Sequence, residues 1–209
     1  MTWQFKQELA RKFVHLLSLL VILIYFLASD YFNKNIAMLI LVLILILFLT
    51  AEYLRLEVKR KIPVLNKIWK YVRRKKEASS MGADVFFITG AIIVLAVFDA
   101  KVAISAILMT TFGDLSAALI GKRFGKHYLT ILEDRAWEGI LAEFIVDIII
   151  GIIVFYPLLA LPQIWLVIFA MAAVATFVET IIYQMEDNII IPIFAGFTGQ
   201  VILFLSSTI

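Results

Sequence analysis

Apolar residues gather into seven long runs, near 10–28, 35–54, 81–98, 100–121, 139–159, 162–183 and 189–208, and most charged residues fall between them. A helix needs about 20 mostly apolar residues to cross roughly 30 Å of hydrocarbon, where it must close its own backbone hydrogen bonds. The pattern predicts an all-α fold: a polytopic integral membrane helical bundle of about seven transmembrane helices, forming a single domain over 1–209. One break has a pattern of its own. After Pro63, residues Leu65, Ile68, Trp69 and Val72 follow helical spacing, with Lys67, Lys70, Arg73, Arg74, Lys75 and Lys76 mostly around the other side. That describes a basic amphipathic interfacial helix within the loop 55–78, with proline in its first turn.

Hydrophobic residues make up 63% of the 209 positions, well above the roughly 45–50% of soluble domains, so an ordinary soluble fold is excluded. The chain has no cysteine, which excludes disulfides, thiolate metal sites and cysteine nucleophiles. The first apolar run follows Lys6, Arg11 and Lys12 but lacks a small-x-small cleavage pattern, and it reads as a retained helix rather than a signal peptide. Of the 19 Lys and Arg, three lie in the N-terminus, ten between Arg55 and Lys76, and four between Lys122 and Arg135. Only Lys34 and Lys101 fall on the other side. Positive loops stay inside, so the expectation is a multi-pass cell-membrane protein with a cytoplasmic N-terminus and Ile209 outside. The basic loop is then either a topology signal that attracts anionic membrane lipids or a direct holder of a polyanionic substrate, and no nucleic-acid partner is expected.

Polar residues within the runs share one face of the membrane. Glu8, Arg11, Lys12 and His15 begin the first run at helical spacing, and Glu52 and Arg55 close the second. Asp84 opens the third. Asp114 lies in the inner third of the fourth, Glu138 opens the fifth, and Glu179 sits a turn inside the end of the sixth, before Glu186-Asp187-Asn188. A charge at such depth is costly unless paired or bound to metal. Beyond Arg135 the chain has no Lys or Arg, yet it carries Glu138, Glu143, Asp147, Glu179, Glu186 and Asp187. Those carboxylates must pair with earlier basic residues or bind a hard cation such as Mg²⁺, which prefers carboxylate and phosphate oxygens. Glu143 and Asp147 share a helix face, which fits either a proton path or hydrogen-bonded burial. Gly113, Ala117, Gly121 and Gly125 form a small-residue stripe that lets another helix approach closely, within the chain or in a homodimer. It leads into Gly121-Lys-Arg-Phe-Gly125-Lys126-His127, where mobile backbone and cations would meet phosphate. This is not a P-loop, since three residues separate the glycines and His127 replaces the Ser or Thr.

These residues resemble the polyprenol kinase family, which includes dolichol kinases, phytol kinases and CTP-dependent diacylglycerol kinases. Glu8-Leu-Ala-Arg11-Lys12-Phe-Val-His15 is similar to the family's Glu-x-x-Arg-Lys-x-x-His opening. Gly113-Asp114-Leu-Ser-Ala117-Ala118-Leu-Ile-Gly121 with Phe124-Gly125-Lys126 resembles its most recognisable segment, and Glu179, Asp187-Asn188 and Pro192 resemble its closing pattern. Arg135-Ala136-Trp-Glu138-Gly139 stands where the family has Lys-Ser/Thr-x-Glu-Gly, so Arg replaces Lys and Ala136 lacks a hydroxyl. The chain looks like a compact member. The resemblance implies transfer of the γ-phosphoryl group of CTP to the hydroxyl of a membrane lipid alcohol at the cytoplasmic face. The acceptor could be dolichol, another polyprenol, a phytol-like isoprenoid or a diacylglycerol-like lipid.

On that reading Arg11, Lys12, Gly121, Lys122, Gly125, Lys126 and Arg135 face the triphosphate, and Asn188 orients a carboxylate or the nucleotide. Asp114, Glu138, Glu179 and Asp187 are the candidate Mg²⁺ ligands. Asp114, His15 and Glu138 are the candidate catalytic residues, with Asp114 the first choice and His15 the other candidate base. Three other readings stay open: a lipid cytidylyltransferase making a CDP-lipid, a transporter, and a silent scaffold. A transporter needs polar residues on both sides of the midplane, and the outer half offers few charges beyond Asp30, Lys34, Asp99 and Lys101.

Overall fold

The computed structural model describes residues 19–57, 81–129, 135–181 and 186–207, all helical apart from short connections. The basic segment 58–80 and the opening motif, with Arg11, Lys12 and His15, lie outside the described residues. The described part divides into two compact units between Ile92 and Ile93.

In the first unit, α1 (Leu19–Tyr31) and α2 (Lys34–Leu56) form an antiparallel hairpin. The turn is short because Asn33 caps α2, its side-chain oxygen accepting from the Ile36 amide at 2.9 Å. Leu39, Leu43, Ile46 and Leu47 are exposed on α2, an outward apolar face suited to hydrocarbon rather than water. At its far end buried Glu52 accepts from Arg55 at 2.6 Å. α3 (Ala83–Val97) begins in this unit and ends in the next.

In the second unit, α4 (Ala100–Leu108), a π-helical turn (Met109–Gly113) and α5 (Asp114–Phe124) form one continuous rod. α6 (Trp137–Phe155) returns alongside it and runs into a 3-10 turn at Pro157. α7 begins with Pro162, where a missing amide costs nothing, and ends at Ile181. α8 (Asp187–Ser207) packs on α7 and α4, and α6 packs on α7 and the rod. The centre is apolar: Val102, Ala106, Val167, Ile168, Met171, Ala172 and Ala195 are fully buried. At one end Gln200 locks the start of α4, accepting from the Asp99 amide and donating to the Asp99 carboxylate, both at 2.8 Å.

The small-residue stripe works as its spacing predicts. A Cβ on Gly139 of α6 would lie 2.8 Å from the Ala117 carbonyl oxygen and 3.1 Å from Gly121 Cα. The α5 and α6 backbones therefore touch, and the stripe is used within the chain.

Among the described residues, five helical segments are long and apolar enough to cross a membrane: Lys34–Leu56, Ala100–Phe124, Trp137–Leu158, Pro162–Ile181 and Asp187–Ser206. α1 and α3 are apolar but shorter. At 1.5 Å per residue, the 15 residues of α3 extend only about 22 Å. Each expected run thus has a helix, while the count of seven crossings and the orientation stay with the proposal below.

Candidate functional site

The site candidates of the second unit collect where α5 ends, α6 begins, α7 ends and α8 begins. A small hairpin joins α5 to α6. Tyr128 bridges Ala136, the Trp137 amide donates to His127 O at 2.9 Å, and the Leu129 amide donates to Arg135 O at 3.0 Å. This pairing fixes the backbone of Arg135 immediately before α6.

From that position Arg135 Nη1 donates to Glu179 Oε1 at 2.7 Å. The guanidinium side chain is 28% exposed and Glu179 only 1%, so Arg135 lies at the mouth and the carboxylate beneath it. Burial of the guanidinium tends to lower its pKa, but Glu179, then Glu143 and Asp114, together outweigh that and raise it. Glu143 interacts in turn with Glu179 and Asp147, and the Thr176 hydroxyl lies beside Asp147. Glu143 and Asp147 are completely buried, and neither Asp147 oxygen has a hydrogen-bond partner among the described residues. A Cβ on Gly113 would come within 2.7 Å of Asp147 Oδ1. Glycine here is what lets the π-helical turn pass over the carboxylates. Such turns interrupt the regular helical ladder and recur at functional sites.

Asp114 follows this turn, half-buried and within electrostatic reach of Arg135. Glu138, in the first turn of α6, is already engaged. Its Oε1 contacts His127 Nδ1 at 2.8 Å and accepts from the Lys126 amide at 3.2 Å, while Oε2 accepts from the His127 amide at 3.4 Å. It thereby clamps the hairpin. Lys122 and Lys126 are exposed on this same end. Asp187 accepts from the Asn188 amide at 2.9 Å, and the Asn188 side chain is buried at the start of α8. Pro192, four residues on, has no N–H to give to the Asn188 carbonyl.

Gly121 and Gly125 lie in a close-packed contact with the start of α6. The Gly125 amide donates to Gly121 O at 3.0 Å, and a Cβ on Gly125 would collide with that oxygen and with the Ala136 methyl. Both glycines serve close packing, and φ at Gly125 is an ordinary −58°.

The structure thus brings Arg135, Glu179 and Asp114 together, and separately gathers Lys126, His127 and Glu138. Among the described residues, no three His, Asp or Glu side chains are arranged to hold a metal ion. The Arg135–Glu179 pair and its backing by Glu143 were not foreseen. The one available signal was the lack of any Lys or Arg beyond Arg135.

Fold and site define a helical protein with several membrane-length apolar segments and a charged, partly open mouth at one end of its second unit. Among curated proteins, the CTP-dependent diacylglycerol kinase 1 of Schizosaccharomyces pombe is 26% identical over 80 residues, which is 38% of this chain and 37% of that protein. The chain therefore matches little more than a third of that relative's length. No family model matches the chain. No solved structure matches it either.

Proposed function

We propose that this protein is a CTP-dependent lipid kinase of the cell membrane, with seven crossings, a cytoplasmic N-terminus and its site on the cytoplasmic face. The observation that carries the reading is the partly exposed Arg135, fixed by the hairpin and within electrostatic reach of Asp114, on a mouth that also bears Lys122 and Lys126. The name of the fission-yeast relative supports the same chemistry. The acceptor is a lipid alcohol, either a diacylglycerol-like lipid or an isoprenoid of the dolichol, polyprenol or phytol type. Its hydroxyl lies at the interface while its tail stays among the helices.

Phosphoryl transfer calls for positioning and charge neutralisation more than covalent catalysis. Arg135, Lys122 and Lys126 hold the triphosphate; Arg11 and Lys12, outside the described residues, are further candidates from the sequence alone. The alcohol oxygen forms a bond to the γ-phosphorus as the bond to the β,γ-bridging oxygen breaks. CDP leaves, and the hydroxyl proton passes to Asp114 or His15.

Mg²⁺ would supply charge neutralisation at the triphosphate, and typically needs only one or two carboxylates besides the phosphates. The candidate carboxylates are Asp114, Glu138, Glu179 and Asp187, of which Glu138 also accepts from the hairpin and Glu179 from Arg135. Asn188 orients Asp187.

The test is purified protein in nanodiscs with γ-labelled CTP or ATP, Mg²⁺ and a panel of diacylglycerols and isoprenoid alcohols. Labelled lipid formed with CTP supports the proposal. No labelled lipid across the panel, with no nucleotide binding, would refute it.

A further inference from the structure

We infer that Glu179 is a positioning residue for nucleotide: it holds Arg135 at the mouth and acts on the triphosphate only through that guanidinium. The inference rests on the kinase reading above. An exposed arginine side chain samples many rotamers, and fixing one of them in advance removes an ordering cost from binding. Glu179 is suited to this because it is immobile: it is 1% exposed, sits in the last turns of α7 and meets Arg135 Nη1 at 2.7 Å. The hairpin fixes the other end of Arg135 through the Leu129–Arg135 backbone bond and the Tyr128–Ala136 bridge. Anchored at backbone and at one terminal nitrogen, the side chain keeps its remaining guanidinium donors for a ligand. The guanidinium is thus held from below by Glu179, while the Arg135 side chain stays 28% exposed at the mouth.

The experiment measures CTP binding and steady-state transfer for the unaltered protein, Glu179→Gln, Arg135→Gln and the double variant, all in nanodiscs. Glu179→Gln keeps the shape and a hydrogen-bond acceptor but loses the charge. It should raise Kd and KM for CTP about tenfold, the effect of one weakened charge-assisted contact, with kcat changed less than about twofold. In the Arg135→Gln background Glu179→Gln should have no further effect on CTP affinity, because its route to the nucleotide is already gone. The double variant removes both members of the Arg135–Glu179 pair at once, so it stays measurable if one single variant folds poorly. Equal CTP affinity in Glu179→Gln and the unaltered protein, or additive losses in the double variant, would overturn the inference while leaving the kinase reading in place. Absence of CTP binding by the unaltered protein would overturn both.

Discussion

Gly139→Ala and Gly121→Ala place the same methyl group on opposite sides of one helix contact, and they should have opposite consequences. At Gly139 the new Cβ would sit 2.8 Å from Ala117 O and 3.1 Å from Gly121 Cα, both backbone atoms that cannot rotate aside. Ordinary contact begins near 3.4 Å, so α5 and α6 must part by about 0.6 Å. Overpacking of this kind costs about 1–3 kcal/mol, only partly offset by the roughly 1 kcal/mol that alanine gains over glycine inside a helix. At Gly121 the nearest atoms are Gly139 Cα at 3.5 Å and Ala136 Cβ at 4.0 Å, which is ordinary contact. There only the helix-propensity gain of up to about 1 kcal/mol remains. The two variants should therefore differ by about 2 kcal/mol in unfolding free energy. In a chain of this size that separates melting temperatures by roughly 4–8 °C. Thermal unfolding in one detergent, followed by intrinsic fluorescence, reads the difference. Equal melting temperatures, or a less stable Gly121→Ala, would refute the close backbone approach of α5 and α6.

Arg135 has its folded-state pKa raised, so its stabilising contribution is fully present below the unfolded value and is lost only as pH rises through the still higher folded one. The melting-temperature gap between the unaltered protein and Arg135→Gln should then be constant from about pH 6 to 9, and a gap that closes within that window would count against the pairing. Because the chain has no cysteine, single-cysteine labelling of intact cells tests the orientation. Asp30→Cys should react with an impermeant maleimide from outside and Lys126→Cys should not, and the reverse pattern would invert the topology.

Features that depend on local spacing were legible in the sequence. The seven apolar runs each contain a helix, and the four-residue repeat from Gly113 to Gly125 meets α6 as small-residue spacing requires. The π-helical turn at Met109–Gly113 was not legible, because one extra residue in an apolar helix leaves the hydrophobic run unbroken. The ends of the first run also differ: α1 continues to Tyr31, three residues past Ala28, through Ser29 and Asp30, and the Ser29 hydroxyl donates back to Phe26 O at 3.0 Å. Within the site, the shortage of basic residues after Arg135 implied that late carboxylates need an earlier cation, and Glu179 finds Arg135 itself. Which carboxylate would pair depended on the rotation of α7 about its axis, and no spacing reveals that across 44 residues. The metal or catalytic role of Glu138 is what the family resemblance implies, and its local partners are a separate matter. Its ties to His127 and Lys126 depend on a hairpin whose composition gives no strand signal.

The central claim, phosphoryl rather than cytidylyl transfer to a lipid, is tested most directly by where the label on CTP goes. Protein in nanodiscs would be given lipid alcohol with either α-labelled or γ-labelled CTP, alongside Asp114→Asn. Label should enter the lipid only from the γ position, give a lipid monophosphate, and disappear in Asp114→Asn. Label entering from the α position, with pyrophosphate released from a phosphorylated acceptor, would identify a cytidylyltransferase and contradict the account.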